Sequence, residues 1–223
     1  MPREGPPDTL PQIFALTGTP GTGKSSAAAL LSPRGRTSPF RVEEVSELAR
    51  RAHSGRPYRG DPGTLLVDMD RLARSFPSLA PSGPTPWIVV GHLAHFLPVQ
   101  AILLLRCDPE ILADRLRRRG DDPRSVRANA EAELVDVILF ESLETGVPVH
   151  ELDTSARTPR EVAAWVRSVV RGQCGPSHGS VDWLAHAATA PGTARETRSP
   201  GPGKRRSRVH TSRKLTGSPP LRA

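Results

Sequence analysis

Residues Gly18 to Ser25 read Gly-Thr-Pro-Gly-Thr-Gly-Lys-Ser and satisfy the pattern G-x-x-x-x-G-K-[ST]. Glycines let a backbone close tightly around a phosphate, so that successive N–H groups and the positive end of the following helix point at it. Gly18, Gly21, Thr22 and Gly23 would form that cradle, and Lys24 would reach the β and γ phosphates of ATP. The Ser25 hydroxyl is the expected protein ligand of the Mg²⁺ that accompanies the nucleotide, and Ser26 can add a hydroxyl to the α-phosphate. Lys24 stands alone in its region, because the other two lysines of this arginine-rich chain are Lys204 and Lys214. A compact, flexible ammonium does there what a planar guanidinium would not reproduce. The motif implies nucleoside triphosphate binding but does not separate a kinase from a switch or an ATPase.

Such a loop works only between a buried strand and a helix, and the flanking residues supply both. The apolar run Ile13–Thr17 predicts a strand and the alanine-rich Lys24–Leu31 a helix. Further along, "WIVV" (87–90), "AILLLR" (101–106) and "VPVHELD" (147–153) predict buried strands, with Phe40–Val42 a weaker one. Val45, Leu48, Ala49 and Ala52 recur at helical spacing within 43–53. The residues "SGRPYRGDPG" that follow predict a mobile loop, and Leu65–Val67 with Leu72 and Phe76 a short helix. Asp108 as N-cap and Pro109 in the first turn open a helix that Gly120 stops. A longer helix is predicted over about 125–144, and a last one, capped by Thr158, over 158–171. Strands that alternate with helices and are apolar on both faces define an α/β protein with a parallel sheet.

Length, charge and cysteine content narrow the setting. The chain of 223 residues suffices for one α/β domain and an appendage. Residues 172–223 hold nine Lys/Arg against two acidic residues, so they carry +7 of the formal +8. Basicity therefore belongs to an appendage rather than to a nucleic-acid-binding fold surface. The expected organisation is a disordered leader at 1–11, a phosphate-binding α/β domain at 12–171 and a basic disordered tail at 172–223, with a short helix at 181–188. The cluster Lys204–Arg208, with Arg213 and Lys214, has no interleaved aromatic residues and offers phosphate screening without base stacking. Cys107 and Cys174 are too few for a disulfide framework, and no run approaches the ~20 apolar residues of a spanning helix. The expectation is a soluble, cytoplasmic protein with no membrane partner.

Beyond the phosphate loop, "SELAR", "VDMDR", "GHLAHFLP", "LLLRCDPEILADRLRRRG" and "NAEAELVDVILFESL" follow in an order that resembles the archaeal and eukaryotic nuclear adenylate kinase-like family over residues 12–170. The resemblance implies a P-loop nucleoside monophosphate kinase fold, three-layered around a five-stranded parallel sheet. It places a monophosphate-binding segment at 44–67 and a short lid at 118–128. It implies transfer of the terminal phosphate of ATP to AMP or a related monophosphate, ATP hydrolysis, and a part in small-subunit (16S rRNA) maturation through a platform ribosomal protein. By motif, Arg50 is the monophosphate-binding arginine, Arg119 the lid arginine and His92 an active-site histidine. Arg115, Arg117 and Arg118 crowd that assignment, and at least two of the four arginines should line a solvated helix face. Arg157-Thr158 falls where the family contacts adenine. Asp68 and Asp70 fit equally a helix cap and a catalytic contribution. His92 and His95 are spaced i, i+3 but have no third ligand for zinc nearby.

One departure stands out. The family's strand before "HLAH" ends in a carboxylate two residues before the first histidine, where this chain has Val90. The expectation is normal nucleotide affinity with slow turnover, and Asp108 is the substitute carboxylate that the sequence suggests. A slow, nucleotide-dependent assembly factor and a P-loop kinase of another small metabolite remain as alternative readings.

Overall fold

The computed structural model describes residues 11–32, 38–59 and 61–189. The expected leader, save its last residue, the connection 33–37 and the basic cluster at 204–214 lie outside the described residues. In chain order the elements are β1 (Ile13–Thr17), α1 (Lys24–Leu31), β2 (Arg41–Glu44), α2 (Val45–Arg51), β3 (Gly55–Tyr58), β4 (Asp61–Val67), α3 (Met69–Leu79) and β5 (Trp87–Val90). A 3₁₀ turn at Ala94–Phe96 leads to β6 (Ala101–Arg106), α4 (Pro109–Arg119), α5 (Pro123–Leu134), α6 (Val137–Glu144), β7 (Val149–Asp153), α7 (Pro159–Val170) and α8 (Trp183–Thr189).

Five strands pair in the order β2-β5-β1-β6-β7, all parallel, which is the five-stranded sheet expected from the apolar runs. Alternate residues feed opposite faces. Phe14, Leu16, Ile88 and Leu103 pack with Ala27 and Leu31 of α1 and Val162 and Val166 of α7. Ala15, Val89, Ile102 and Leu104 pack with Leu48 of α2, Phe76 of α3 and Leu139 of α6. The layers are therefore helix, sheet, helix. Local chemistry fixes the helix starts: Asp108 accepts from the N–H groups of Glu110 and Ile111, and Asp122 from those of Arg124 and Ser125. Thr158 and Glu161 form a reciprocal capping box, and Gly120 ends α4 with φ +90°.

Four expectations are corrected. The segment read as a mobile loop is half of an antiparallel hairpin in which Gly55 pairs with Val67 and Arg56 with Leu66, so Leu65–Val67 belong to a strand and not to a helix. The hairpin hides in the sequence because glycine permits the approach: a Cβ on Gly55 would lie 2.7 Å from Leu65 Cδ2. The long helix at 125–144 breaks in two at Asp136, whose φ is +58°. The break lets Asp136 join Glu133 on the guanidinium of Arg106. Of the two roles that fitted Asp68 equally, the structure shows the cap: its side chain accepts from Arg71 N at 2.9 Å at the start of α3.

The fourth correction moves the domain boundary. Chain expected to be disordered from 172 continues to pack on the fold as far as Thr189. Ser177 bridges to β7, donating its N–H to the Val149 carbonyl and accepting from Glu151 N. Ser180 N donates to Glu151 at 3.1 Å, and Trp183 is buried. The short helix expected at 181–188 is α8. The compositional signal failed here because a single tryptophan, with backbone bonds to an edge strand, anchors an otherwise polar segment.

Candidate active site

The loop between β1 and α1 is held by bonds that its own sequence provides. Gly18 has φ +137°, and a Cβ there would lie 2.3 Å from the Leu105 carbonyl oxygen, so no other residue fits the crossing over β6. Thr22, fully buried, donates its hydroxyl to the Thr19 carbonyl at 2.9 Å and accepts at its own carbonyl from Thr154 Oγ1 at 3.0 Å. Lys24 folds back over the loop, its Nζ donating to the carbonyls of Gly18 at 2.6 Å and Thr19 at 2.9 Å. Burial lowers its pKa to about 8, against the raising influence of Glu133 and Glu44.

A cavity of about 520 Å³ opens over this loop. Residues 20–26 form one wall, Glu44, Gly91 and His92 a second, and Arg115, Arg119, Thr154, Arg157 and Val162 the rest. Its size and its convergent polar groups suit a nucleotide. Gly21, Thr22, Gly23, Lys24, Ser25, Ser26, His92 and Arg119 are thus brought together, as the sequence motifs implied, while Gly18 lies beneath the loop. Partial burial, then the cation of Lys24, lowers the His92 pKa, so a neutral imidazole faces the cavity.

The arginines separate by role. Arg119 stands at the cavity edge, paired with Asp121 through Nε at 2.7 Å and Nη2 at 2.5 Å. Arg115 is a buttress: it donates to the carbonyls of Thr154 at 2.8 Å and Ser155 at 3.0 Å. Arg117 is exposed and pairs with Asp114, and Arg118 is exposed, so these two occupy the solvated face. Arg50 is not brought to the cavity; it lies on the outer side of α2, paired with Glu47 at 2.7 Å. Arg157 lines the cavity, whereas Thr158 is committed to its capping box. Asp108 caps α4 and does not reach the cavity, which removes it as the substitute for the missing carboxylate.

His95 is a packed residue. Thr17 Oγ1 lies 3.1 Å from its Nδ1 and Glu141 3.2 Å from its Nε2, an arrangement that suits the tautomer donating from Nε2. Burial, and then His92, lowers its pKa to about 4, so the contact with Glu141 is a hydrogen bond to a neutral ring near pH 7. Among the described residues no group of three or more His, Cys, Asp or Glu could hold a metal ion by itself.

Two carboxylates that sequence reasoning missed stand next to the loop. Glu133, buried, accepts from Thr19 Oγ1, Arg106 Nε (2.8 Å), Cys107 N (3.0 Å) and Trp183 Nε1 (3.3 Å). Arg106, 1% exposed, also binds Glu151 at 2.7 Å and Asp136. Burial opposes its charge, but Glu133 and Asp136 outweigh it and hold its pKa above the ordinary value. The second carboxylate, Glu44, lines the cavity together with Lys24 and Ser25. Burial raises its pKa, while Lys24 and Ser25 pull it down. The acidic pair at the end of a predicted strand was its signal, but facing the loop depends on a strand order the sequence does not state.

A parallel sheet with the order β2-β5-β1-β6-β7, a glycine-lysine loop after its central strand and arginines on the opposing helix define a P-loop kinase. A family model described as "AAA domain" matches residues 15–136. "Putative adenylate kinase" of Archaeoglobus fulgidus is 37% identical over 177 residues, which cover 78% of this chain and 92% of that protein. The protein of the same name from Thermococcus onnurineus is 36% identical over 171 residues, covering 77% and 91%. The chain belongs to the family of these archaeal adenylate kinase-like proteins. Shikimate kinase from Acinetobacter baumannii superposes with a TM-score of 0.47 and 15% identity over 74% of this chain and 96% of that one.

Proposed function

We propose that this chain is a nucleoside monophosphate kinase that transfers the terminal phosphate of ATP to AMP or a related monophosphate, with ATP hydrolysis as a side activity. The observation that carries the reading is the cavity that gathers the phosphate loop, His92 and Arg119 over the carboxyl end of the sheet, in a chain 37% identical to the protein named "Putative adenylate kinase". Phosphoryl transfer is mostly positioning and charge neutralisation, and these residues supply both.

Triphosphate oxygens would replace the Gly18 and Thr19 carbonyls as partners of the Lys24 ammonium. Loop N–H groups and the start of α1 would hold the β-phosphate. Arg119 would exchange Asp121 for the transferring group, and Arg50 would be carried in by closure of α2 over the monophosphate. The residues fit Mg²⁺ by donor chemistry, because Ser25 and Glu44 present oxygens beside the loop, and the ion when bound neutralises the β and γ phosphates. The apolar side of Val162 with Arg157 offers the far end of the cavity to the base.

We also infer that the protein works in the cytoplasm, in maturation of the small ribosomal subunit, through a platform ribosomal protein and rRNA. Its family resemblance supports this, as does the basic sequence beyond residue 190. Val90 favours slow turnover, in which nucleotide-driven release of a partner is the output. ADP formation from AMP plus ATP, compared with ATP alone and with other acceptors, tests the reading. Lys24→Ala must abolish it; activity toward a metabolite acceptor with none toward nucleoside monophosphates overturns it.

A further inference from the structure

We infer that Glu44 is the carboxylate that orders the nucleotide's Mg²⁺ in this protein, displaced by one strand from the position that Val90 occupies. The inference rests on the reading of the cavity as an ATP site and goes beyond it by assigning the metal-ordering role to a residue of a different strand.

Three observations converge on it. First, β2 pairs in parallel with β5 so that Glu44 stands beside Val90 in register, at the same carboxyl edge of the sheet. A carboxylate there starts from a Cα one strand spacing, roughly 5 Å, from the vacant position, within the reach of a glutamate side chain. Second, the carboxylate shares the cavity with the loop. It lines the same walls as Ser25 and Lys24, and the Lys24 cation pulls its pKa down against the effect of burial. Its neighbour Glu43 pairs instead with Arg41 and Arg51. Third, Glu44 is not committed elsewhere. It occupies the N-cap position of α2, yet its side chain makes no capping bond, whereas Asp68, Asp108 and Asp122 all cap their helices. Among the described residues that line the cavity, it carries the one carboxylate.

The electrostatics decide what such a group is for. Without a divalent cation, a carboxylate beside the phosphate loop repels the triphosphate. A bound Mg²⁺ would reverse that sign, because the same carboxylate would attract the metal–nucleotide complex. Glu44 therefore couples metal binding to nucleotide binding, and by linkage each ligand reports on the other. A carboxylate that merely neutralised Lys24 in the empty cavity would oppose nucleotide binding equally with and without the metal.

The test measures the dissociation constant of a non-hydrolysable ATP analogue by calorimetry, with Mg²⁺ and with excess EDTA, in the full chain. The ratio of the two constants is the coupling. In Glu44→Gln the ratio is expected to fall about fivefold or more, mainly through tighter binding in EDTA and weaker binding in Mg²⁺. Glu44→Asp, which keeps the charge with a shorter reach, is expected to retain more of the coupling than Glu44→Gln. Glu44 is exposed at the cavity wall, so neither substitution threatens the fold. An unchanged ratio in Glu44→Gln, or equal tightening in both conditions, overturns the assignment while leaving the kinase reading intact. Failure of the unsubstituted protein to bind the analogue in Mg²⁺ overturns both.

Discussion

Thr19 in the phosphate loop and Trp183 in α8 donate hydrogen bonds to the same side chain, the buried carboxylate of Glu133. The loop that cradles phosphate is thereby joined to a segment 164 residues away in sequence, beyond the last helix of the sheet domain. Arg106 and the Cys107 N–H share that carboxylate, so one acid organises the floor beneath the nucleotide cavity.

Removing the acid should be costly. Glu133→Ala leaves the Arg106 guanidinium buried with part of its countercharge gone, and loss of one partner from such a group destabilises by about 3–5 kcal/mol. Trp183→Phe deletes one donor and should cost about 1 kcal/mol. Urea denaturation of both variants gives the comparison; near-equal midpoints would mean that Glu133 is not the organising group.

Truncation should respect Thr189 rather than Arg171. Ending the chain at 171 removes the buried Trp183 and the Ser177 and Ser180 bonds, a loss of about 2–3 kcal/mol, or roughly 5–10 °C in Tm for a domain this size. Ending it at 189 should leave Tm and kinase turnover unchanged. All nine basic residues of 172–223 lie beyond Thr189, so the shorter deletion already removes them, and under the proposed ribosomal role it should reduce the salt dependence of RNA binding without the loss of Tm. A Tm equal to that of the full chain after truncation at 171 would refute the packing argument.

Acid should unfold the protein partly through His95. Its folded pKa of about 4 lies below the unfolded value of 6.5, so between these limits the unfolded chain binds the extra proton. Stability is therefore fully present above about pH 6.5 and falls as pH drops toward 4, by up to about 3 kcal/mol. In His95→Gln, chemical denaturation across that window should show a smaller slope. An identical slope would assign the acid sensitivity to the carboxylates.

Nucleotide affinity should fall on the alkaline side. With a free-state pKa of about 8, Lys24 begins to lose its proton near that pH, and triphosphate binding must then supply one. Analogue affinity should decline as pH rises through 8, with proton uptake visible in calorimetry. The sign for stability is opposite: between about 8 and 10.5 the unfolded chain holds the extra proton, so stability rises with pH. In Lys24→Ala both effects should vanish along with phosphoryl transfer. Binding that is flat from pH 7 to 9.5 would contradict the depressed pKa.

Val90→Asp restores a carboxylate at the end of β5. Turnover is expected to rise about tenfold, which is 1.4 kcal/mol of barrier, with little change in ATP affinity. Some stability should be lost, because Val90 is fully buried among Leu16, Ile88 and Leu103. Equal rates in the two proteins would show that the valine does not limit the chemistry.

Much of this was legible before any coordinates. The strands at 13–17, 87–90 and 101–106 carry unbroken apolar runs up to Leu16, Val90 and Leu105 because both faces are covered, and such runs announce themselves. The caps Asp108 and Thr158 and the stop at Gly120 were equally local. The hairpin at 55–67 was not, since Gly55 and Pro57 read as turn residues until their partner strand is known. The broken helix at Asp136 depends on Arg106, thirty residues earlier, and the ordering of 172–189 on an edge strand and one carboxylate. Lys24 and Ser25 could be placed from their motif, whereas Glu44 and Glu133 required the strand order and the fold of α5. Local chemistry was readable; partners brought together across the chain were not.

The charge cluster around Arg106 also bears on how the chain is made. Its guanidinium is neutralised by Glu133 and Asp136, but also by Glu151, which itself is bound by Ser180. A nascent chain that has released β1 through β6 from the ribosome holds a cation it cannot yet bury, and the pocket for it closes only after β7 has been synthesised. The sheet therefore cannot settle strand by strand during translation. Strand β6 can pair with β1 as soon as it emerges but waits on its other side for β7, in the last third of the domain, so folding commits late and as a unit.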